Sequence, residues 1–227
     1  MKTIISVIMF LMMTGLSYAN DIYVTQSGNA LDLDITQDGE NNTVGNSTTA
    51  SASAGVTTIL NIDQIGDSNV ITYQIAGATY TGVINLVGNS NNVDLNCDST
   101  GGNSSCGTAN AVINFTGSSN DIDLDIGQTS SANTADVDIV GQSGSDSNVV
   151  AATVDGNSAV LTITVNGDTN NYLIDIDGNG DSVGHTLIHS HTGGIADVDI
   201  IQSGTNDNMI TLTTSGDNAD IDISQTD

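Results

Sequence analysis

Turn glycines recur along this chain at intervals of 11 or 12 residues, and between them apolar residues alternate with polar ones. The recurring unit is an alternating run, then Gln or an apolar residue, any residue, Gly, two or three residues, and Asn. Gln37-Asp38-Gly39-Glu40-Asn41-Asn42, Gln64-Ile65-Gly66-Asp67-Ser68-Asn69 and Gln142-Ser143-Gly144-Ser145-Asp146-Ser147-Asn148 show it, and Gln26-Ser27-Gly28 and Gln202-Ser203-Gly204 open the same way. A strand of about six residues and a Gly-centred turn of four or five use up one interval. Glycine supplies the positive φ that reverses the chain, and Asn bonds its own backbone in the turn. Two units return the chain above its start. The spacing therefore predicts an all-β protein, a parallel β-solenoid with rungs of about 22 residues.

Sixteen strands, or about eight rungs, are predicted. Odd strands centre on 22–26, 58–64, 81–87, 111–116, 134–140, 159–165, 185–191 and 209–214. Even strands centre on 30–36, 70–75, 92–96, 121–127, 149–154, 171–177, 196–202 and 219–225. The longer connections 40–56, 97–109, 127–133 and 178–184 all follow even strands, which places them on one edge. In Leu31-Asp32-Leu33-Asp34-Ile35 and Asp121-Ile122-Asp123-Leu124-Asp125 the apolar residues point inward and the carboxylates outward. Such pairs recur on even strands at Asp175/Asp177, Asp197/Asp199 and Asp220/Asp222. Odd strands carry outward Thr, Asn and His, with Asp136/Asp138 the exception. The absence of proline suits a chain that is strand or tight turn throughout.

The sequence of 227 residues has 27 acidic side chains and one basic one, Lys2, for a formal net charge of −26. Such a chain cannot neutralise phosphates, which excludes nucleic acid as a partner. Residues 1–19 read as a secretory signal peptide, with Lys2, an apolar stretch Ile4–Leu16 and a small-x-small site at Ser17-Tyr18-Ala19. The solenoid domain is then 20–227, exported, with no transmembrane segment. Cys97 and Cys106, an isolated pair in a Gly/Ser/Asn-rich stretch, read as a loop-stapling disulfide in that compartment.

The Gln-x-Gly-x-x-Asn spacing, duplicated within units of about 22 residues in a proline-free chain, resembles the curlin-repeat family, subunits of functional amyloid fibres on bacterial surfaces. The similarity extends over about residues 22–225. The resemblance implies a solenoid subunit that joins its copies end to end, and other curlin-like subunits as partners, in an extracellular adhesive fibre of a biofilm. Gln26, Gln37, Gln64, Gln142 and Gln202 match the family's ladder Gln; Asn42, Asn69, Asn148 and Asn208 match its turn Asn. Gly28, Gly39, Gly66, Gly144 and Gly204 are the matching turn glycines.

No enzyme constellation is legible. His185, His189 and His191 lie together without a nucleophile elbow, and evenly repeated carboxylates describe a solvated face, so no catalytic residue is assigned. The outward Asp121, Asp123, Asp125, Asp175, Asp177, Asp197, Asp199, Asp220 and Asp222 supply hard oxygen ligands. Without a calcium-loop motif they predict loosely condensed Ca²⁺ and no defined metal site or cofactor. His189 and His191 read as paired surface histidines. Thr-x-Thr occurs in only two strands (Thr162/Thr164 and Thr211/Thr213), too few for an ice-binding plane. The favoured function is a secreted structural subunit of an extracellular fibre, on the bacterial cell surface or beyond it. The alternative is a monomeric or tip-located acidic solenoid, an adhesin or cation-binding module.

Overall fold

The computed structural model describes residues 21–27, 30–39, 42–45, 51–66, 68–98, 108–127, 134–155, 158–177, 185–204 and 208–226. Residues 1–19, where a signal peptide is expected, and Gly28 and Cys106 lie outside them. The strands in chain order are β1 (Asp21–Ile22), β2 (Thr25–Ser27), β3 (Ala30–Asp38), β4 (Thr43–Val44), β5 (Ser51–Ile65), β6 (Val70–Val87), β7 (Asn92–Asp98), β8 (Thr108–Thr116) and β9 (Asp121–Gly127). They continue as β10 (Thr134–Gly141), β11 (Val149–Asp155), β12 (Ser158–Asn166), β13 (Asn170–Asp177), β14 (Thr186–Thr192), β15 (Ile195–Ser203), β16 (Met209–Ser215) and β17 (Asn218–Thr226). No helix of the described residues is long and apolar enough to cross a membrane.

These strands form two parallel sheets wound as one β-solenoid. Sheet I stacks β3, the second half of β5, the second half of β6, β8, β10, β12, β14 and β16. Sheet II stacks β1 with β2, then β4 with the first part of β5, the first part of β6, β7, β9, β11, β13, β15 and β17. Among the described residues sheet I thus has eight strands and sheet II nine.

Three expectations change. The rung is not a fixed 22 residues: bonded equivalents lie 22 residues apart for Asp63 and Asn85 but 29 for Asn85 and Asn114. The segment 40–56 is not a connection, because Thr43–Val44 and the start of β5 add a strand to sheet II. Small residues fill that stretch, so it lacks the alternation that marks the other strands. In consequence the first two strands exchange sheets. Residues 30–38, with Asp32 and Asp34, pair with 57–65 in sheet I, and 21–27 belongs to sheet II. The steps from 98 to 108, 127 to 134 and 177 to 186 do share one edge, each leading from sheet II to sheet I.

Alternation puts Leu60, Ile62, Val93, Leu95, Ile113, Ile122 and Leu124 inside, each at 0–1% exposure. Burying one such side chain contributes roughly 1.5–3 kcal/mol. The core also holds Tyr73, Tyr80, Phe115 and Tyr172 fully buried. Glycines make the room. A Cβ on inward Gly82 would lie 2.4 Å from the Tyr80 hydroxyl, and one on Gly141 would lie 2.6 Å from the Phe115 ring.

Stacked ladders, an acidic face and an open end

A repeated Gly-x-x-Asn turn leads from sheet I to sheet II. Gly39–Asn42, Gly66–Asn69, Gly88–Asn91, Gly117–Asn120 and Gly167–Asn170 share one spacing. Gly66, Gly88 and Gly117 have φ of 124°, 149° and 122°. Their backbones stack so closely that a Cβ on Gly88 would lie 1.7 Å from the Gly66 carbonyl oxygen, and one on Gly117 1.9 Å from that of Gly88. The residue before each later Asn (Ser68, Ser90, Ser119, Ser147, Thr169) is left-handed, with φ of 56–63°. This conformation turns the Asn side chain into the stack.

The result is an asparagine ladder. Asn42, Asn69, Asn91, Asn120, Asn148 and Asn170 are all buried. The backbone N–H of each donates to the Oδ1 of the next, at 3.1, 2.9, 2.9, 2.8 and 2.9 Å. Nδ2 of Asn42, Asn69, Asn120 and Asn170 donates to its own turn's glycine carbonyl at 3.0–3.1 Å. Sequence reading missed Asn91, Asn120 and Asn170. The Gly-x-x-Asn spacing alone, without a preceding Gln, carries the signal.

The glutamines divide. Inward Gln64 donates to Gln37 Oε1 at 2.6 Å in sheet I, and Gln225 donates to buried Gln202 at 3.1 Å in sheet II. Gln26 pairs in register with Ser53. Gln142 is not a ladder residue: it is exposed. Its turn has two residues more than the others, with buried Ser145 three before Asn148 where Gly117 and Gly167 stand in theirs. Gly141 occupies the inward row beside Phe115. Gly144 accordingly sits one place outside the glycine stack. Gly204 donates its N–H to Thr226, and Asn208 lies on the opposite edge, where its Oδ1 accepts the His185 N–H at 3.1 Å.

The outer face of sheet II holds two carboxylate patches. In one, Asp94 neighbours Asp123 in register, and Asn92 and Asn96 donate to Asp121 and Asp125 at 3.4 and 3.1 Å. In the other, Asp197 and Asp199 stack on Asp220 and Asp222, near Asp175 and Asp177. Val149, Ala151 and Thr153 interrupt the two. Like charges about 4.8 Å apart repel by roughly 1 kcal/mol in water. Partial burial, then Asp94 and Asp121, raise the Asp123 pKa; partial burial, then Asp177, raise that of Asp175. Among the described residues no group of three His, Cys, Asp or Glu could hold a metal ion.

The histidines are not on the surface. His185, His189 and His191 are 1%, 0% and 2% exposed, because the register of β14 turns Leu187, His189 and His191 inward and Ile188 outward. The Tyr172 hydroxyl lies 2.9 Å from His191 Nδ1, and the His189 ring stands edge-on to Tyr172 with centroids 4.4 Å apart. Neither ring nitrogen of His189 has a hydrogen-bond partner. Burial, then His191, pulls its pKa down from 6.5 to about 4. Cys97, also buried, is disulfide-bonded.

At the far end β17 pairs only with β15 among the described residues. All nine of its residues are exposed, including Ile221 at 37% and Ile223 at 48%, although their register partners Val198 and Ile200 are fully buried. No family model, curated protein or solved structure matches this chain. Its function must be argued from the geometry: two stacked polar ladders, one strongly acidic face, and an end with an unpaired strand edge over an incompletely covered core.

Proposed function

We propose that this is a secreted structural subunit that joins its copies end to end into an extracellular fibre, curlin-like in design, serving adhesion or a biofilm matrix on a bacterial surface. The observation that carries the reading is β17. A strand exposed on all nine residues presents unpaired N–H and C=O groups beside half-covered isoleucines, and native monomers usually protect such an edge. Addition of another copy continues both the ladder and the core. Because the two surfaces that meet differ, the contact is heterologous and open, and it propagates. No catalytic residue, cofactor or nucleic-acid partner belongs to this reading.

Charge supplies the control. With no Lys or Arg after Lys2, approaching copies repel through their Asp faces until salt or divalent cations screen them. Negative-stain microscopy of the mature chain is the direct test. Uniform filaments, forming faster with millimolar calcium than in low-salt buffer, are expected; discrete short rods at every concentration would refute polymerisation and favour a monomeric adhesin.

A further inference from the structure

The two sheets differ by one strand, and that difference specifies how copies join. A solenoid alternates between its sheets, yet the described chain both begins and ends in sheet II, with β1–β2 and with β17. If β1 and β2 of a second copy stacked directly on β17, two sheet II strands would follow one another. Sheet I would then lack a strand between β16 and the incoming β3, a break of about 4.8 Å in its ladder. The break disappears if β17 and the first strand take the same place.

Sequence and register both equate them. Asp21-Ile22-Tyr23-Val24-Thr25-Gln26-Ser27 and Asp220-Ile221-Asp222-Ile223-Ser224-Gln225-Thr226 share Asp, Ile and Gln at the same spacing, with Val for Ile, Thr for Ser, Ser for Thr and, as the one unlike pair, Tyr23 for Asp222. Ile22 and Ile221 are the two ends of a single row, passing from Val44 through Ile71, Val93, Ile122, Val150 and Tyr172 to Val198. The strands are unequally held. β1 and β2 make five register pairs, two with β4 and three with β5, whereas β17 makes nine with β15.

We infer that β17 of one copy displaces β1 and β2 of the next and completes its first rung, pairing with β4 and the start of β5. Ile221 enters the place of Ile22 against Val44, and Gln225 enters the register position of Gln26. Residues 21–27 thus act as a stand-in strand that covers the receiving end of the free subunit. The inference rests on the end-to-end reading above and adds the identity of the joint.

The helical rise of filaments of the mature chain, measured by electron cryo-microscopy, tests it. Exchange gives eight strand spacings per subunit, about 38 Å; simple stacking gives nine, about 43 Å. A rise near 43 Å would overturn the exchange while leaving the fibre reading intact, whereas absence of filaments would overturn both. Deleting 21–27 is expected to preserve the 38 Å filament and to shorten the lag at least about twofold. Deleting 218–226 is expected to abolish filaments with the β circular dichroism retained. Loss of assembly in the first variant, with its β signal intact, would also overturn the exchange.

Discussion

The two edges of this solenoid follow different rules. On the edge from sheet I to sheet II, turn stacks upon turn: Gly66 N–H bonds the Val87 carbonyl, Gly88 N–H that of Thr116, and the Asn42–Asn170 ladder locks the corner. On the opposite edge the chain crosses by steps of different length between Asp98 and Thr108, Gly127 and Thr134, and Asp177 and Thr186. One edge sets the register and the other absorbs the variation. This is why the repeat offset runs from 22 to 29 residues without disturbing the core rows.

The largest expected effect attacks the strict edge. Gly117→Ala puts a Cβ against the Gly88 carbonyl at a φ of +122°, so thermal unfolding should show a loss of about 3–5 kcal/mol. The same substitution at Gly144, where nothing lies within 4 Å, should cost far less despite its positive φ of 84°. Equal losses would abolish the distinction between stacked and unstacked turns.

Next comes the core between the edges. The unfolded chain protonates His189 near pH 6.5 and the fold only near 4, so its contribution is complete above 6.5 and drains away as pH falls through that window. His189→Leu should remove about 3 kcal/mol of acid sensitivity, read from urea unfolding at pH 7 and pH 4. Asp123 and Asp175, whose pKa values are raised, act oppositely and favour the fold as the carboxylates protonate. A wild-type and variant with parallel pH profiles would exclude a neutral buried His189.

Asn120→Ala is smaller. It removes the acceptor of the Asn91 N–H and the donor to the Gly117 carbonyl, and should cost about 1–3 kcal/mol. Smallest is the permissive edge. About six extra Gly/Ser residues between Gly127 and Thr134 double that crossing and should cost only about 0.6 kcal/mol. A loss of several kcal/mol there would show that this edge, too, is specified.

The same contrast explains what the sequence disclosed. Alternation in Leu31–Ile35 and Asp121–Ile126 exposes the inward rows directly, and the glycines of the strict edge advertise its turns. Residues 43–44 and 51–55 stayed hidden because strands among small side chains leave no hydrophobic period, and that one omission exchanged the sheets of 21–27 and 30–38. The histidines were misplaced because Leu187 and Ile188 are both apolar, and local pattern cannot choose which one is buried; Tyr172, thirteen or more residues away, chooses. Gln142 misled because its turn holds two added residues, which put Gly141 in the inward row instead. The glycines at 82 and 141 become intelligible only beside the aromatic rings they accommodate.

Every rung of the asparagine chain donates in one direction, from Asn42 toward Asn170. The molecule therefore carries an arrow. A row of copies inherits that polarity, so its two tips are chemically unlike: one offers amide oxygens and waits for a strand, the other offers the strand. Growth at the tips need not be equal, and a cap that recognises one of them would leave the other free to elongate.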